Sequence, residues 1–166
     1  LPISDGTVNA WLERLNNRPT EFSRYQSNEI TLSVPGTAES VITVAAVNSA
    51  LPLVVHPRSS YGLTRDHRKK PELCAPGTEL LAARSQTTNG VVAMSGTSMA
   101  APHVSGAIAL ALSDRAKQHG KRWLTANQVR AALTQTTQNF DGFHSESMGY
   151  GLLDVEAFFN RCRAIR

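Results

Sequence analysis

The sequence predicts an α/β fold in which a parallel sheet is layered with helices, and three observations predict it. Val41–Val47 is an almost continuous run of β-branched and small apolar residues, the pattern of a strand covered on both faces. From Ser98 to about Gln118 strand alternation is absent, and apolar or small residues fall nearly all round the first three turns, as in a helix that runs through a core. Thr125-Ala126-Asn127-Gln128 reads as a capping box opening a further helix. Strands mixed with buried and covering helices are the layered arrangement in which each element hides its apolar face against another.

Taken in order, residues 1–35 are polar and irregular. Within them Asp5-Gly6 is a turn dipeptide. Thr7–Leu12 partly alternates like a half-exposed strand, and Glu13–Asn28, rich in Asn, Arg and Ser, reads as loop. The first core strand is Val41–Val47. Glu72–Ala75 is a shorter strand between Pro71 and Pro76-Gly77. Glu79–Ala83 and Val91–Met94 flank Thr87-Thr88-Asn89-Gly90 and predict a hairpin with an Asn-Gly turn near its tip. The long helix from Ser98 meets a stop signal at His119-Gly120. The helix behind Thr125 places Val129, Ala132, Leu133 and Thr136 on one face. Gly149–Leu153 is a short strand or turn, after which Asp154 caps a last short helix.

Bulk properties narrow the function. A chain of 166 residues, 41% hydrophobic and 18% charged, has the composition of one globular domain. No apolar run reaches the roughly 20 residues that span a bilayer; Val104–Leu112 is too short and runs into Ser113-Asp114-Arg115. The net charge is +4, much of it in Arg65-Asp66-His67-Arg68-Lys69-Lys70. With no aromatic residues interleaved to stack bases, that run reads as a solvated loop rather than a nucleic-acid surface. The two cysteines, Cys74 and Cys162, give neither a disulfide framework nor metal-ligand spacing. Cys74, between Leu73 and Ala75, reads as a buried small hydrophobe. The chain opens at Leu1-Pro2-Ile3 without an initiator Met, as if cut from something longer.

The chemistry concentrates in Ser95-Gly96-Thr97-Ser98-Met99-Ala100-Ala101-Pro102-His103. Here a strand turns at Gly96 into a helix, and Ser98 is expected at the helix cap. Unpaired backbone N–H groups at such an end, with the helix dipole behind them, favour negative charge. The tetrahedral intermediate of acyl transfer carries that charge on its oxyanion, so the Ser98 N–H is suited to half of an oxyanion hole. Ala100 and Ala101 add no bulk that would block a substrate. Pro102 lacks the N–H that would return to the Ser98 carbonyl, which loosens the helix start where acylation needs small movements. The tripeptide Gly-x-Ser before a helix reads by itself as an ordinary N-cap; the longer string decides otherwise.

Gly96-Thr97-Ser98-Met99-Ala100-Ala101-Pro102-His103-Val104-Ser105-Gly106 resembles, almost residue for residue, the nucleophile motif of the subtilisin family. Flanking segments resemble that family in its order. Pro35–Val44 is similar to the loop and strand beside its specificity pocket, and Ser59-Ser60-Tyr61-Gly62 to its Ser-Ser-x-Gly turn. Lys70-Pro71-Glu72-Leu73-Cys74-Ala75-Pro76-Gly77 resembles its Lys-Pro-Asp-x-x-Ala-Pro-Gly segment, and Gly149–Asp154 the strand before its last helix. The resemblance covers roughly residues 32–160. It implies the C-terminal part of a subtilisin-like peptidase domain, incomplete, with helices on both faces of the sheet. Residues 1–31 would be the end of an upstream segment or inserted domain, and 161–166 a tail.

The same resemblance implies a serine endopeptidase acting on a peptide or protein substrate. Ser98 is the nucleophile, Thr97 assists the oxyanion donors, Met99 is the oxidisable methionine beside the serine, and Pro102 belongs to the supporting motif. Ser33, Val34 and Pro35 line the floor of the substrate pocket. No metal or other cofactor is expected in this chain, calcium being possible elsewhere in the full protein, and a secreted or cell-envelope location is implied. The family's Asp and His motifs do not occur. Asp5-Gly6-Thr7 has the wrong order, and His103, five positions past Ser98, points to another face. His56 and His67 read as solvated, His119 suits a helix end, and His144 shows no partner. None of Asn9, Asn16, Asn17 or Asn28 replaces the family's oxyanion asparagine. The Asp, His and Asn are therefore expected from an upstream segment or second chain, and this chain alone is expected to be inactive, with sheet edges exposed at Val41–Val47. The alternative is a catalytically dead binding or regulatory module of the same fold.

Overall fold

The computed structural model describes residues 10, 23, 24, 26–119, 123–138 and 142–165. The turn expected at Asp5-Gly6, the strand over Thr7–Leu12 apart from Ala10, and most of the loop expected from Glu13 lie outside those residues.

The first sheet pairs β1 (Val44–Val47) with β2 (Leu73–Pro76) in parallel, Val44 opposite Leu73 and Val47 opposite Pro76. Leu152 continues it beyond β2: the Cys74 N–H donates to the Gly151 carbonyl at 2.9 Å, and the Leu153 N–H to the Cys74 carbonyl at 2.9 Å. Side chains alternate across the pleat. Ala46, Leu73 and Ala75 face the main core, whereas Ala45, Val47 and Cys74 face a smaller cluster completed by Leu53, Val55, Met148 and Leu152. The edge of β1 is not bare, contrary to the sequence expectation. The His56 N–H donates to the Ala46 carbonyl at 2.8 Å, and the Ala46 N–H to the Ser59 hydroxyl at 3.1 Å.

Three helices complete the main core: α1 (Thr97–His119), α2 (Ala126–Gln135) and α3 (Val155–Ala164). Ala100, Val104, Ala107 and Ala111 of α1 share one buried cluster with Val129, Ala132 and Leu133 of α2 and Phe158 and Cys162 of α3, and α3 packs against both other helices. Burying a side chain the size of Leu or Phe stabilises by about 1.5–3 kcal/mol, so Leu73, Leu133 and Phe158, all fully buried, anchor the layers. The capping box forms as expected: the Gln128 N–H donates to the Thr125 hydroxyl at 3.3 Å, and the Thr125 N–H to Gln128 Oε1 at 2.9 Å. Asp154 caps α3 by accepting from the Ala157 N–H at 2.8 Å. At the other end of α3, buried Arg115 of α1 donates to the carbonyls of Cys162 (3.0 Å) and Ile165 (2.6 Å), satisfying acceptors that a helix end leaves open.

Three local expectations are corrected. The long helix is buried on one face only: Ala101, Pro102, Ser105, Gly106, Ala109 and Leu110 are exposed, Leu110 at 61%. Among the described residues β1, β2 and α3 are its chief neighbours, and they cover one side. The hairpin of β3 (Leu80–Ala83) and β4 (Val91–Met94) is antiparallel, but residues 84–90 form a longer loop than an Asn-Gly turn. The Thr87 hydroxyl organises it, donating to the Arg84 carbonyl at 2.8 Å and accepting from the Gly90 N–H at 3.1 Å. Within the basic run, Lys70 is buried against Glu72, their charges 2.8 Å apart, rather than solvated. Both cysteines are buried and free.

Candidate active site

Two glycines set the approach to Ser98. Gly77 follows β2 and Gly96 follows β4, and the Gly96 N–H donates to the Gly77 carbonyl at 2.7 Å. A Cβ on Gly77 would lie 2.7 Å from Ala46 Cβ and 2.8 Å from the Gly96 carbonyl oxygen, so only glycine lets the turn sit this close to the sheet. Gly96 itself has φ +142°, a region side chains avoid. The Ser95 hydroxyl, accepting from the Glu79 N–H at 2.8 Å, ties the turn to the hairpin.

The helix begins at Thr97, one residue before Ser98, which corrects the expected cap. The carbonyl of Gly96 accepts from the N–H groups of Met99 (3.0 Å) and Ala100 (3.3 Å), so Gly96 occupies the cap position. Ser98 stands in the first turn, exposed, and the N–H groups of Thr97 and Ser98 precede the first helical hydrogen bond. They are the donors a helix start leaves open. Pro102 is also exposed on the open side of α1, and Met99 is half-buried.

Two hollows flank the serine. Ser33, Val34 and Pro35 line a pocket of about 170 Å³ together with Gly36, Thr43, Ser59, Ser60 and Thr97. The structure thus brings three residues far apart in sequence from Ser98 to its immediate helical neighbour. On the other side Ser98 borders an apolar trough of about 350 Å³ along α1, lined by Ile42, Val44, Ala101, Pro102, Val104 and Ile108.

Among the described residues the rings of His103, His56 and His144 are hydrogen-bonded. His103 is exposed, and its Nδ1 bonds the Met99 carbonyl at 2.9 Å. His56 Nδ1 accepts from the Arg58 N–H at 3.2 Å. His67 is exposed with φ +60°. His144, expected without a partner, bonds the Pro71 carbonyl through Nε2 at 3.0 Å and packs edge-on against Tyr150, ring centres 5.0 Å apart. Asp66 accepts from Arg68 Nε at 2.7 Å and from the Thr64 hydroxyl at 2.6 Å; the Arg68 bond first, then the Thr64 bond, holds its carboxyl down to about 2. Among the described residues no His, Cys, Asp and Glu cluster could hold a metal ion.

Sequence reading missed the charges behind the pocket, buried Lys70 and Glu72 and half-buried Arg130. A signal for the first two was present: residues two apart entering a strand share one face, so their opposite charges were placed to pair.

The family model described as the subtilase family matches residues 16–151. The chain is 34% identical over 140 residues to an extracellular basic protease of Dichelobacter nodosus, spanning 81% of this chain and 22% of that protein. It is 36% identical over 128 residues to subtilisin DY of Bacillus licheniformis, spanning 76% of this chain and 40% of that protein. Among solved structures, the CspB protease of Clostridium perfringens superposes with a TM-score of 0.74 at 27% identity, over 86% of this chain and 31% of that one. The prenylagaramide maturation protease PagA superposes with a TM-score of 0.66 at 27% identity, over 81% of this chain and 47% of that one. The chain therefore spans less than half the length of each of these relatives.

Proposed function

Since the chain belongs to the subtilase family, we propose that it is the serine-bearing part of a serine endopeptidase whose acyl-enzyme forms on Ser98. The observation that carries this reading is the placement of Ser98: exposed in the first turn of α1, beside open backbone N–H groups and next to a pocket. A base takes the proton from the Ser98 hydroxyl while its oxygen bonds the peptide carbonyl carbon. The oxyanion is met by the Ser98 N–H at the positive end of the helix. The carbon–nitrogen bond breaks and the leaving amine takes the proton; water then cleaves the ester and frees Ser98. Thr97 borders the pocket that receives the side chain before the cleaved bond, with Ser33, Val34 and Pro35 as its floor.

The base, its orienting carboxylate and a further oxyanion donor come, in this proposal, from an upstream segment or a second chain. Two facts support that. The chain spans less than half of each relative described above, and the open apolar side of α1, with the trough at Ser98, is the kind of surface another layer covers. A serine without a base is a weak nucleophile, so 1–166 by itself is inactive in this reading.

The test is covalent labelling of the full-length protein with a fluorophosphonate, mapped by mass spectrometry, with Ser98→Ala as control. Adduct on Ser98, lost in the variant, supports a complete triad. No adduct, with segments bearing an Asp and a His present, overturns the reading and leaves a peptide-binding module of the same fold.

A further inference from the structure

We infer that Lys70, Glu72 and Arg130 are positioning residues for the substrate pocket: an ionic frame, buried at Lys70 and Glu72, that fixes the loop carrying its floor. The inference rests on the endopeptidase reading. Residues 33–43 hold no regular ladder, so their backbone groups need other partners. Turns within the loop pair some of them; the frame supplies partners for the Glu39 and Val41 carbonyls and the Thr43 N–H. Lys70 Nζ donates to the Val41 carbonyl and, at 3.3 Å, to the Thr43 hydroxyl. Glu72 Oε2 accepts from the Thr43 N–H at 2.7 Å. Arg130, reaching across from α2, donates to the carbonyls of Glu39 (2.6 Å) and Val41 (3.3 Å). Thr43 relays this grip into the pocket, its hydroxyl donating to the Gly36 carbonyl at 2.6 Å, one residue beyond Pro35.

The three charges bind one another as well as the loop. Glu72 Oε1 lies 2.8 Å from Lys70 Nζ and 3.4 Å from Arg130 Nε, and Lys70 and Glu72 are 3% and 5% exposed. None of the three lines the pocket; they stand behind it. An ion pair this deep is costly to desolvate, and a well-packed apolar replacement is often as stable or more so. Its service to stability is therefore small, whereas its charge-assisted hydrogen bonds fix direction and distance for one loop. The physical consequence is a pocket floor held in one shape, and hence discrimination among substrate side chains.

The experiment measures steady-state hydrolysis by the full-length protein of peptides differing only in the residue before the cleaved bond. It compares the parent with Lys70→Met/Glu72→Leu and with Arg130→Met, recording Tm and the rate of Ser98 labelling by a small fluorophosphonate. The double variant is expected to stay folded with a Tm lowered by a few degrees, because the Val41 carbonyl and Thr43 N–H lose their partners, to lose roughly tenfold in the kcat/KM ratio between best and second-best peptide, mainly through KM, and to change far less in labelling rate. Arg130→Met is expected to lose about threefold in the same ratio. A folded variant with unchanged discrimination, or one that slows on every peptide and on the probe alike, overturns the inference and leaves the frame purely structural. If the double variant fails to fold, Arg130→Met decides. A parent without Ser98-dependent hydrolysis overturns the endopeptidase reading first, and this inference with it.

Discussion

Replacing Gly77 by Ala strains the seat of Ser98 directly. The new Cβ would lie 2.7 Å from Ala46 Cβ, 2.8 Å from the Gly96 carbonyl oxygen and 3.2 Å from Ala100 Cβ. Carbon atoms rest about 3.5–4.0 Å apart, so the first contact is short by about 0.8 Å. None of these neighbours is the end of a flexible chain, and relief requires moving β1 or the turn that carries Ser98. Overpacking of this kind costs about 1–3 kcal/mol. Gly77 does not have a positive φ, so Ala also restricts the unfolded chain and returns about 0.4–1 kcal/mol. The net loss is about 1–2 kcal/mol, a fall in Tm of about 3–6 °C for a domain of this size. Function should suffer more than stability, because a shift approaching 1 Å at a reacting group costs up to about 100-fold. In the full-length protein, calorimetry gives the Tm and stopped labelling with a fluorophosphonate gives the rate at Ser98. A variant with parental Tm and a labelling rate within twofold of parent would refute the close-packed seat.

Three further outcomes follow from the geometry. Thr125→Ala removes one half of the capping box on α2 and should destabilise by about 1 kcal/mol, read from urea unfolding; Thr125→Ser should restore most of it. Asp66 has its carboxyl lowered from 3.8 to about 2 by Arg68 and Thr64; because the folded value is the depressed one, the anchoring is present above pH 4 and lost as pH falls towards 2. Carboxyl carbon NMR should find the Asp66 titration near pH 2, and a midpoint near 4 would remove the claimed pair. Burial raises both thiols, Cys74 to about 12, so neither should react with a disulfide reagent at pH 8 until denaturant is added; rapid reaction of either in the native protein would contradict its burial.

Much of the architecture was legible because it rests on local chemistry. The run Val41–Val47 announced a covered strand, although its ladder with β2 begins only at Val44, where the loop residue Thr43 gives its N–H to Glu72 instead. The caps Thr125 and Asp154 were legible because a side chain and an N–H three residues on decide them. The long helix was misjudged on its open side. Ala101, Ala109 and Leu110 have the composition of core but stand exposed among the described residues, because composition reports only that a face is apolar, not what packs on it. The start of that helix moved by one residue, because the cap is taken by the Gly96 carbonyl rather than by a serine hydroxyl.

The site divides along the same line. By itself the sequence determined the candidate serine, Ser98, the glycine turn before it and the family, since these lie in one unbroken string whose spacing a strand-to-helix turn dictates. Only the tertiary structure decided that Ser33–Pro35 share a pocket with Thr97, that Gly77 must be bare to let the turn approach the sheet, and that His144 belongs to Pro71 and Tyr150. It alone turned Lys70 from a loop charge into the buried partner of Glu72, whose carboxylate Arg130 also meets. The reason is physical. A turn or a cap is settled by atoms a few residues apart, whereas desolvation and charge pairing depend on which distant segments the fold packs against a group.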